Sequence, residues 1–252
     1  MKVVLVLSQA NYVKDNYLSL VKKITDKKNL PNGVEISGIV FIKTVDFKLV
    51  LKSIGLFLIG VRGLSTILFK NMWSSLFSDP RGQIFKEHNI PVILVDNINR
   101  KSSRKLIKSM EPDLIINART RNIYRKRILE LPTIGCINIH HGLLPHNRGT
   151  MCDLWAWVEK RTVGFSVHWM NRKIDDGNIV AKCEIDVKGI DSYIDIPMKS
   201  SLYEVDVLID SIGKIKENSE YMLEKNVTDR ENYTRNPTTK QIKEIRKMGL
   251  KL

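Results

Sequence analysis

The sequence predicts an α/β fold: a Rossmann-like, mostly parallel sheet with helices on both faces. One indication is the continuous apolar run from Val3 to Leu7, which is typical of a strand buried on both faces. Another is that strand and helix patterns alternate up to residue 140, because parallel strands need crossover helices between them. With 252 residues and a hydrophobic content of 43%, the chain has room for one large domain or one domain with a small appendage.

The spacing of apolar residues assigns the individual elements. An amphipathic helix covers residues 17–24 after the first strand, and another begins at Asp79 and Pro80, a pair typical of a helix start. That second helix is expected to end near His88. Further strands are predicted at 34–42, 91–95, 113–117, 135–140, 163–170 and 179–187, and further helices at 102–110 and 123–131.

We divide the chain into a main domain, residues 1–190, and a C-terminal part, residues 191–252. In the second part, Ser201 to Glu204 has the pattern of a capping box and is predicted to open a helix. Residues 226–252 are basic and polar without clear core periodicity. They are predicted to form an extended basic tail or a small subdomain lying on the main one.

The apolar and basic segment 47–77 interrupts the main domain as an insertion or flap. Its uncharged run from Ser53 to Val61 is far shorter than the roughly 20 residues that cross a bilayer. Two interpretations stay open: a buried helix or flap, or an interfacial helix in peripheral contact with a membrane. In the second, lipid phosphates would meet the flanking basic residues Lys43, Lys48, Lys52, Arg62 and Lys70.

Charge and cysteine content limit the class of protein. The 41 Lys and Arg against 27 Asp and Glu give a net charge of +14, which favours anionic partners such as nucleic acid, phosphorylated metabolites or an acidic membrane surface. Three cysteines without a CxxC spacing favour a reducing cytoplasm. The first strand leads into LSQANYVKDN, which contains no glycine, so the phosphate-binding turns of dinucleotide and P-loop proteins are missing.

Two segments at the ends of later strands carry reactive side chains. The strand 135–140 delivers Asn138 and His140 on one face, and a loop rich in Gly and Pro follows it. The turn IDDGN supplies Asp175 and Asp176. An amide, an imidazole and a carboxylate are a minimal set for acyl transfer, because a carboxylate favours the imidazolium and both donors can stabilise an oxyanion.

These segments resemble the 10-formyltetrahydrofolate-dependent formyltransferases over roughly residues 80 to 190. The resemblance rests on an ordered set of motifs: Asn138-Ile-His140, Gly142-Leu-Leu-Pro145, Arg148-Gly149, His168-Trp-Met170 and Asp175-Asp-Gly177. It implies a catalytic domain of the formyltransferase type, 10-formyltetrahydrofolate as the formyl donor, and no metal.

The resemblance also implies roles for individual residues. Asn138 and His140 would polarise the formyl carbonyl, and Asp175, chosen over Asp176, would orient His140 and relay a proton. Folate-binding positions are expected in two loops, at Arg121, Asn122, Ile123, Tyr124, Trp169, Met170 and Asn171. Acceptor-binding positions are expected at His141, Pro145, Arg148 and Gly149. His168 is expected to be structural, and His141 replaces the Pro or Ala usual in the family.

The resemblance implies that the acceptor is an amine, and we expect it to be small and anionic. Members that act on glycinamide ribonucleotide carry a glycine- and serine-rich first loop, which is missing here. Members that act on methionyl-tRNA append a C-terminal barrel, for which the residues after the last strand are too few, although the +14 charge keeps tRNA open as a partner. Elimination therefore favours an amino sugar on a nucleotide carrier.

Other classes of function stay open beside this one. A formyltetrahydrofolate hydrolase would use the same three residues with water as the acceptor. A basic protein that binds nucleic acid or a membrane surface without catalysis would explain the charge but not the ordered Asn, His and Asp set. The sequence does not predict the oligomeric state, and it favours a cytoplasmic location with peripheral membrane contact left open.

Overall fold

A seven-stranded sheet organises the protein, and the computed structural model describes residues 1–217, 223–229 and 232–252. Two short strands, β6 Asn147–Gly149 and β9 Asn232–Thr234, pair with each other outside this sheet. The strands of the sheet are β1 Lys2–Ser8, β2 Glu35–Ile42, β3 Val92–Val95, β4 Leu114–Ala118, β5 Gly135–His140, β7 Val163–Trp169 and β8 Ile179–Ile185. Their order is β3-β2-β1-β4-β5-β7-β8. The strands from β3 across to β5 are parallel, and β7 and β8 run antiparallel to their neighbours. The predicted α/β fold with a mostly parallel sheet is confirmed.

Helices cover both faces of this sheet. They are α1 Leu18–Thr25, α2 Phe47–Leu58, α3 Arg62–Phe77, α4 Pro80–Glu87, α5 Lys101–Lys108, α6 Lys126–Leu129, α7 Cys152–Val158, α8 Asp195–Lys216 and α9 Thr239–Lys247. The central strand β1 is buried along nearly its whole length. Val3, Leu5 and Leu7 pack into the core shared with α1 and α8, and Val4 and Val6 pack into the core shared with α5 and α6. This alternation is what a strand with two apolar faces requires.

The order of the predicted elements holds through the main domain, and the largest difference lies near residue 123. The helix predicted at 123–131 shortens to α6, because residues 119–125 form an irregular loop after β4. The Asn99 side chain holds this loop by donating to the Ile123 carbonyl and accepting from the Arg125 amide. The loop borders the cavity described below.

Two predictions for the C-terminal part are wrong. The helix α8 begins at Asp195, so Ser201 and Glu204 lie in its interior rather than in a capping box. The stretch 226–252 also contains core periodicity, because α9 buries Ile242 and Ile245 against the main core. A true capping box, Thr238 with Gln241, starts α9. Residues 218–222 and 230–231 lie outside the described part of the chain.

The segment 47–77 forms two helices, α2 and α3, joined by three residues. The Ser53 and Ser65 hydroxyls hydrogen-bond across the contact between them, and α3 buries Leu68 among other residues. The interpretation of Ser53 to Val61 as a buried helix is wrong for its outer face, where Leu58 is 78% exposed. Among the described residues, no helix combines the length and the apolar content that crossing a bilayer requires.

Candidate active site

A cavity of about 530 Å³ opens at the carboxyl edge of the sheet, which is where open α/β sheets place their ligands. The strands β4, β5 and β7 deliver Asn117, Asn138, His140 and His168 to it, and the turn before β8 delivers Asp175. The volume lies in the range of roughly 300–1,000 Å³ that small-molecule sites occupy. The three side chains predicted to be catalytic therefore line one space.

His140 is buried and meets an acceptor on each ring nitrogen. Its Nδ1 lies 3.4 Å from Asp175 Oδ1, and its Nε2 lies 2.8 Å from the Asn147 carbonyl oxygen. The Cys152 sulfur lies 3.7 Å from the same Nε2. Because a carbonyl and a carboxylate only accept hydrogen bonds, this environment suits an imidazole that carries a proton on both nitrogens.

The surroundings of the two histidines in the site, His140 and His168, shift their pKa values in opposite directions. Burial opposes the charge on His140, but the contacts with Cys152, Asp175 and the Asn147 carbonyl outweigh it and raise the pKa of His140 to about 9. Burial and the charge of His140 lower the pKa of His168 to about 4. At neutral pH the pair therefore consists of a charged His140 and a neutral His168.

A chain of hydrogen bonds fixes the orientation of the Asn138 amide. Asn117 Nδ2 donates to Asn138 Oδ1 at 2.7 Å, so the Nδ2 of Asn138 faces the other way, 3.1 Å from His168 Nε2. The Nδ1 of His168 lies 2.7 Å from the Trp169 carbonyl, which assigns its proton to Nδ1 and leaves Nε2 as an acceptor. His168, expected to be structural, thus orients an amide that lines the cavity.

The turn before β8 aims one of its two carboxylates at the histidines. Asp175 has a φ of 51°, in the left-handed region that Asp tolerates, and its Oδ2 accepts from the Gly149 amide at 3.1 Å. Asp176 turns away, toward Arg148 at 3.5 Å and the Asn171 side chain at 2.9 Å. Gly177 is required here, because a Cβ would collide with the Trp169 carbonyl.

The loops predicted to bind folate border the cavity on its other side. Arg121, Asn122, Ile123 and Tyr124 of the first loop line it, as do Met170 and Asn171 of the second. In the described part of the chain, the backbone amides of residues 120–124 bond no acceptor. The Tyr124 hydroxyl is also buried without a partner among these residues, and burial holds the pKa of Tyr124 well above its usual value. This loop therefore offers hydrogen-bond donors to a flat polar ligand.

Three predicted site residues do not reach the cavity. Trp169 packs its ring over Gly135, at the start of β5. Pro145 is buried, and its carbonyl accepts from the Arg148 guanidinium at 3.3 Å. Arg148 is itself buried and donates to the backbone and side chain of Asn226. Of the positions predicted to bind the acceptor, His141 and Gly149 line the cavity.

A second buried polar cluster lies next to the first and escaped the sequence analysis. His141 lies 3.5 Å from Asp153 Oδ2 and 3.3 Å from Glu204 Oε1. Glu204 is fully buried, accepts from the Tyr17 hydroxyl at 2.8 Å and pairs with Arg119. One sequence signal could have revealed this cluster: Glu204 lies on the same helical stripe as the apolar residues of α8, which indicates a buried position.

The same cluster holds Asp153 in its ionised form. Burial disfavours the charge, but His141 and Arg119 outweigh it and keep the pKa of Asp153 below its usual value. Tyr193 donates to Asp153 Oδ1 at 2.9 Å. The wall of the cavity beside His141 is therefore a network of paired charges rather than an apolar surface.

We expect Glu204→Gln to destabilise the protein by about 3 kcal/mol, since removing one partner of a buried ion pair leaves the other charge uncompensated. The stranded group is the Arg119 guanidinium, whose side chain is only 10% exposed. Urea denaturation measures the free energy of unfolding. Glu184→Gln, on the exposed side of β8, is the matched control and should leave that free energy unchanged. Equal effects of the two variants would contradict a stabilising role for the Glu204 pair.

The opposite pKa shifts of His140 and His168 are expected to be visible in ¹⁵N NMR of the imidazole rings. His140 should lose its proton near pH 9, and His168 should gain one only near pH 4. The variants His140→Ala and His168→Gln assign the signals by deleting them. Because the folded state binds the His140 proton more tightly than the unfolded chain, this histidine should contribute stability below about pH 6.5 that disappears as the pH rises through 9. Two rings titrating together near pH 6.5 would contradict the assignment.

The residues described here include no group of three or more His, Cys, Asp or Glu side chains that could hold a metal ion.

A Rossmann-like sheet that gathers an amide, an imidazolium and a carboxylate around one cavity is the arrangement expected of acyl-transfer enzymes. Comparison with protein families agrees with this class. The model described as formyl transferase matches residues 82–212, slightly more than half of the chain. The chain belongs to the formyl transferase family.

Individual relatives match part of the chain in sequence. The methionyl-tRNA formyltransferase of Bacillus licheniformis is 32% identical over 131 residues, which are 52% of this chain and 42% of that protein. The methionyl-tRNA formyltransferase of Thermotoga maritima is 30% identical over 139 residues, 54% of this chain and 44% of that protein. The matched stretch thus spans less than half the length of these curated relatives.

Solved structures show the same fold at low sequence identity. A sugar N-formyltransferase from Shewanella sp. FDAARGOS_354 has a TM-score of 0.58 and 18% identity, covering 93% of this chain and 76% of its own. A phosphoribosylglycinamide formyltransferase from Bacillus halodurans has a TM-score of 0.61 and 15% identity, covering 88% of this chain and 98% of its own.

Proposed function

We propose that the protein is an N-formyltransferase that moves a formyl group from 10-formyltetrahydrofolate to a primary amine. The observation that carries the proposal is the convergence of Asn138, His140 and Asp175 on one cavity, with His140 held as an imidazolium. Membership of the formyl transferase family supports the reaction class.

Asn138 and His140 stabilise the negative charge that develops on the formyl oxygen when the amine attacks. Asn138 Nδ2 has two protons and gives one to His168, so the other is available to the oxyanion. The contact between His140 Nδ1 and Asp175 is long, at 3.4 Å, so this N–H can be shared with an oxyanion beside Asn138. Removing one such donor from an oxyanion hole typically costs about 10²–10³ in rate.

Asp175 moves the proton that the reaction must transfer. A new bond forms between the amine nitrogen and the formyl carbon, and the bond from that carbon to the folate N10 breaks. The amine gives up one proton and N10 takes one up, so a single carboxylate that accepts and returns a proton balances the step. Asp175 is placed for this role because it lines the cavity and contacts His140.

The loop 120–124 and the segment 170–174 are proposed to hold the donor. The unbonded backbone amides of the first loop suit the polar edge of the pterin ring. Lys52, Arg121, Arg172 and Lys173 also border the cavity and would attract the carboxylates of the folate tail. The bound donor would supply an activated one-carbon unit, and these residues would orient it.

The acceptor we favour is the amine of an amino sugar on a nucleotide carrier. The loop after β1 disfavours glycinamide ribonucleotide as the acceptor, because the backbone amides of this loop already donate hydrogen bonds within the protein. Ala10 donates to Thr44, Asn11 donates to Asn16, and Val13 donates to Asn11. Such a loop has few donors left to cradle a phosphate.

A charged initiator tRNA is the second candidate acceptor. The sequence relatives named methionyl-tRNA formyltransferase favour it, as does the net charge of +14. The two candidates differ in size and in salt dependence, since binding of a tRNA should weaken steeply as the salt concentration rises.

Incubation with 10-formyltetrahydrofolate and a panel of amines tests the proposal. The panel holds nucleotide-linked amino sugars, glycinamide ribonucleotide and methionyl-tRNA, and mass spectrometry detects the product that has gained one formyl group. Formylation of an amino sugar supports our choice, and formylation of the tRNA or the ribonucleotide corrects only the acceptor. Release of formate without any amine would assign the protein as a hydrolase. No use of the donor under any condition would contradict the proposed reaction.

A further inference from the structure

The outer faces of α2 and α3 are apolar, which is unusual for helices on a protein surface. On α2 the exposed large apolar residues lie at i, i+4, i+7, i+10 and i+11, and on α3 they lie at i, i+4, i+7 and i+8. Their side chains are between 48% and 78% exposed. We call them the hairpin patch: Phe47, Leu51, Ile54, Phe57 and Leu58 of α2 with Phe69, Trp73, Leu76 and Phe77 of α3.

The exposed apolar faces do not result from helices whose apolar sides are turned away from the core, because another face of each helix already packs on the protein. The inner side of α3 is already buried at Leu64, Leu68 and Met72, and Ser53 of α2 bonds Ser65 of α3. The two helices therefore have one face for the protein and a second apolar face without a partner in the described chain. A surface helix normally turns polar residues outward. Contiguous apolar surface of this kind marks an interaction site.

The charged residues within the two helices and their connection have a single sign. Residues 47–77 contain Lys48, Lys52, Arg62 and Lys70 and no acidic residue. All four basic residues are exposed, and the Arg62 guanidinium lies 5.6 Å above the Phe57 ring. An aromatic and aliphatic face with basic residues at its border is complementary to a bilayer that carries anionic lipids.

We propose that the hairpin patch docks on the surface of a membrane that contains anionic lipid. The helices lie in the interface, with Trp73 and Phe77 at the level of the headgroups and Lys48 and Lys70 beside the phosphates. A second copy of the chain fits this face less well, because it would bring two sets of basic residues together. Lys52 and Leu56 of α2 also line the catalytic cavity, so docking places that cavity beside the lipid surface.

Vesicle flotation of the full chain tests the docking. We use vesicles of phosphatidylcholine alone and vesicles of phosphatidylcholine with phosphatidylglycerol. The protein is expected to float with the second kind and to stay in solution with the first. The double variant Trp73→Ser/Phe77→Ser should bind at least about tenfold more weakly, because it removes aromatic area from the interface and keeps every charge.

Matched variants separate the patch from the general charge of the protein. Leu202→Ser/Tyr203→Ser removes exposed apolar side chains from α8 and should float like the wild type. Lys48→Glu/Lys70→Glu should abolish flotation, whereas Lys240→Glu/Lys243→Glu on α9 should retain it. Circular dichroism checks that each variant is folded.

Several outcomes would overturn the proposal. They are a wild type that stays in solution with both kinds of vesicle, equal binding to both kinds, and patch variants that float as well as the controls. A dimer in analytical ultracentrifugation that Trp73→Ser/Phe77→Ser dissociates would assign the face to a second copy instead. These measurements do not depend on formyl transfer, so a failure of the docking proposal can be distinguished from a failure of the proposed reaction.

Discussion

The His140→Ala variant is expected to lose at least about a thousandfold in the rate of formyl transfer, because it removes the cation beside the developing oxyanion. The wild-type imidazole is charged at neutral pH, since its contacts raise the pKa of His140 to about 9. Alanine leaves Asn138 as the remaining donor of the three predicted residues. The rate is measured in single turnovers with 10-formyltetrahydrofolate and the amine that the panel identifies.

A matched histidine removed elsewhere tests whether this loss is specific. His88, at the C-terminal end of α4, is exposed, and His88→Ala should transfer the formyl group at the wild-type rate. His140→Gln keeps a hydrogen-bond donor without the charge, so it should recover only a small part of the activity. Thermal unfolding controls for loss of structure. If folded His140→Ala works within tenfold of the wild type, the imidazolium has no catalytic role.

Asp175→Asn is expected to cost about four orders of magnitude, the loss seen when a carboxylate that orients a catalytic histidine becomes an amide. Asparagine keeps the shape of the turn but cannot accept the proton of the amine. It also removes the negative charge that lies 3.4 Å from His140 Nδ1. The same single-turnover assay measures this loss.

The neighbouring Asp176→Asn is the control for the choice between the two carboxylates. Asp176 contacts Arg148 and Asn171 rather than the histidines, so this variant should lose less than tenfold. An inactive Asp176→Asn beside an active Asp175→Asn would show that the wrong carboxylate has been chosen.

The pH profile distinguishes orientation from simple loss of structure. Wild-type activity should fall as the pH rises through about 9, because His140 then loses its proton. Without the Asp175 charge the folded His140 binds its proton less tightly. The alkaline limit of the residual activity in Asp175→Asn should therefore move to lower pH. If the alkaline limit of activity stays at the same pH in Asp175→Asn, a group other than His140 sets that limit.

Local sequence was sufficient for most of the main domain. The strand β1 could be predicted because every residue from Val3 to Leu7 is apolar, a pattern typical of a strand covered on both faces. The strand β5 was predicted with its exact bounds, and its period of two placed Asn138 and His140 on one face. Asp175 was chosen over Asp176 because the family that the chain resembles carries its carboxylate directly before x-Gly, and the structure places Asp175 beside His140.

Sequence reasoning failed where a polar residue is buried by distant parts of the chain. Glu204 was taken as part of a capping box, because Ser201 precedes it by three residues. Its actual surroundings, Tyr17, Arg119 and His141, come from three other segments. The contact between the His168 ring and the Asn138 amide, at 3.1 Å, also comes from parts of the chain that are distant in sequence.

The segment 47–77 shows a different limit of prediction from sequence. Its apolar composition distinguishes it from the rest of the main domain, but composition does not tell which face of a helix is covered. In the folded protein the inner face of α3 packs on the core and the outer face remains exposed. Of the two interpretations left open by the sequence, this exposure favours the interfacial helix over the buried helix or flap.

By itself the sequence determined the α/β fold, the order of the strands along the chain and the three residue types that meet at the sheet edge. These follow from periodicity and spacing, which are local properties. Only the tertiary structure decided that His140 is charged while His168 is neutral, and that Glu204 belongs to a buried network. Each of these depends on burial and on charges from distant segments, and electrostatic energies in a low dielectric are set by such three-dimensional neighbours.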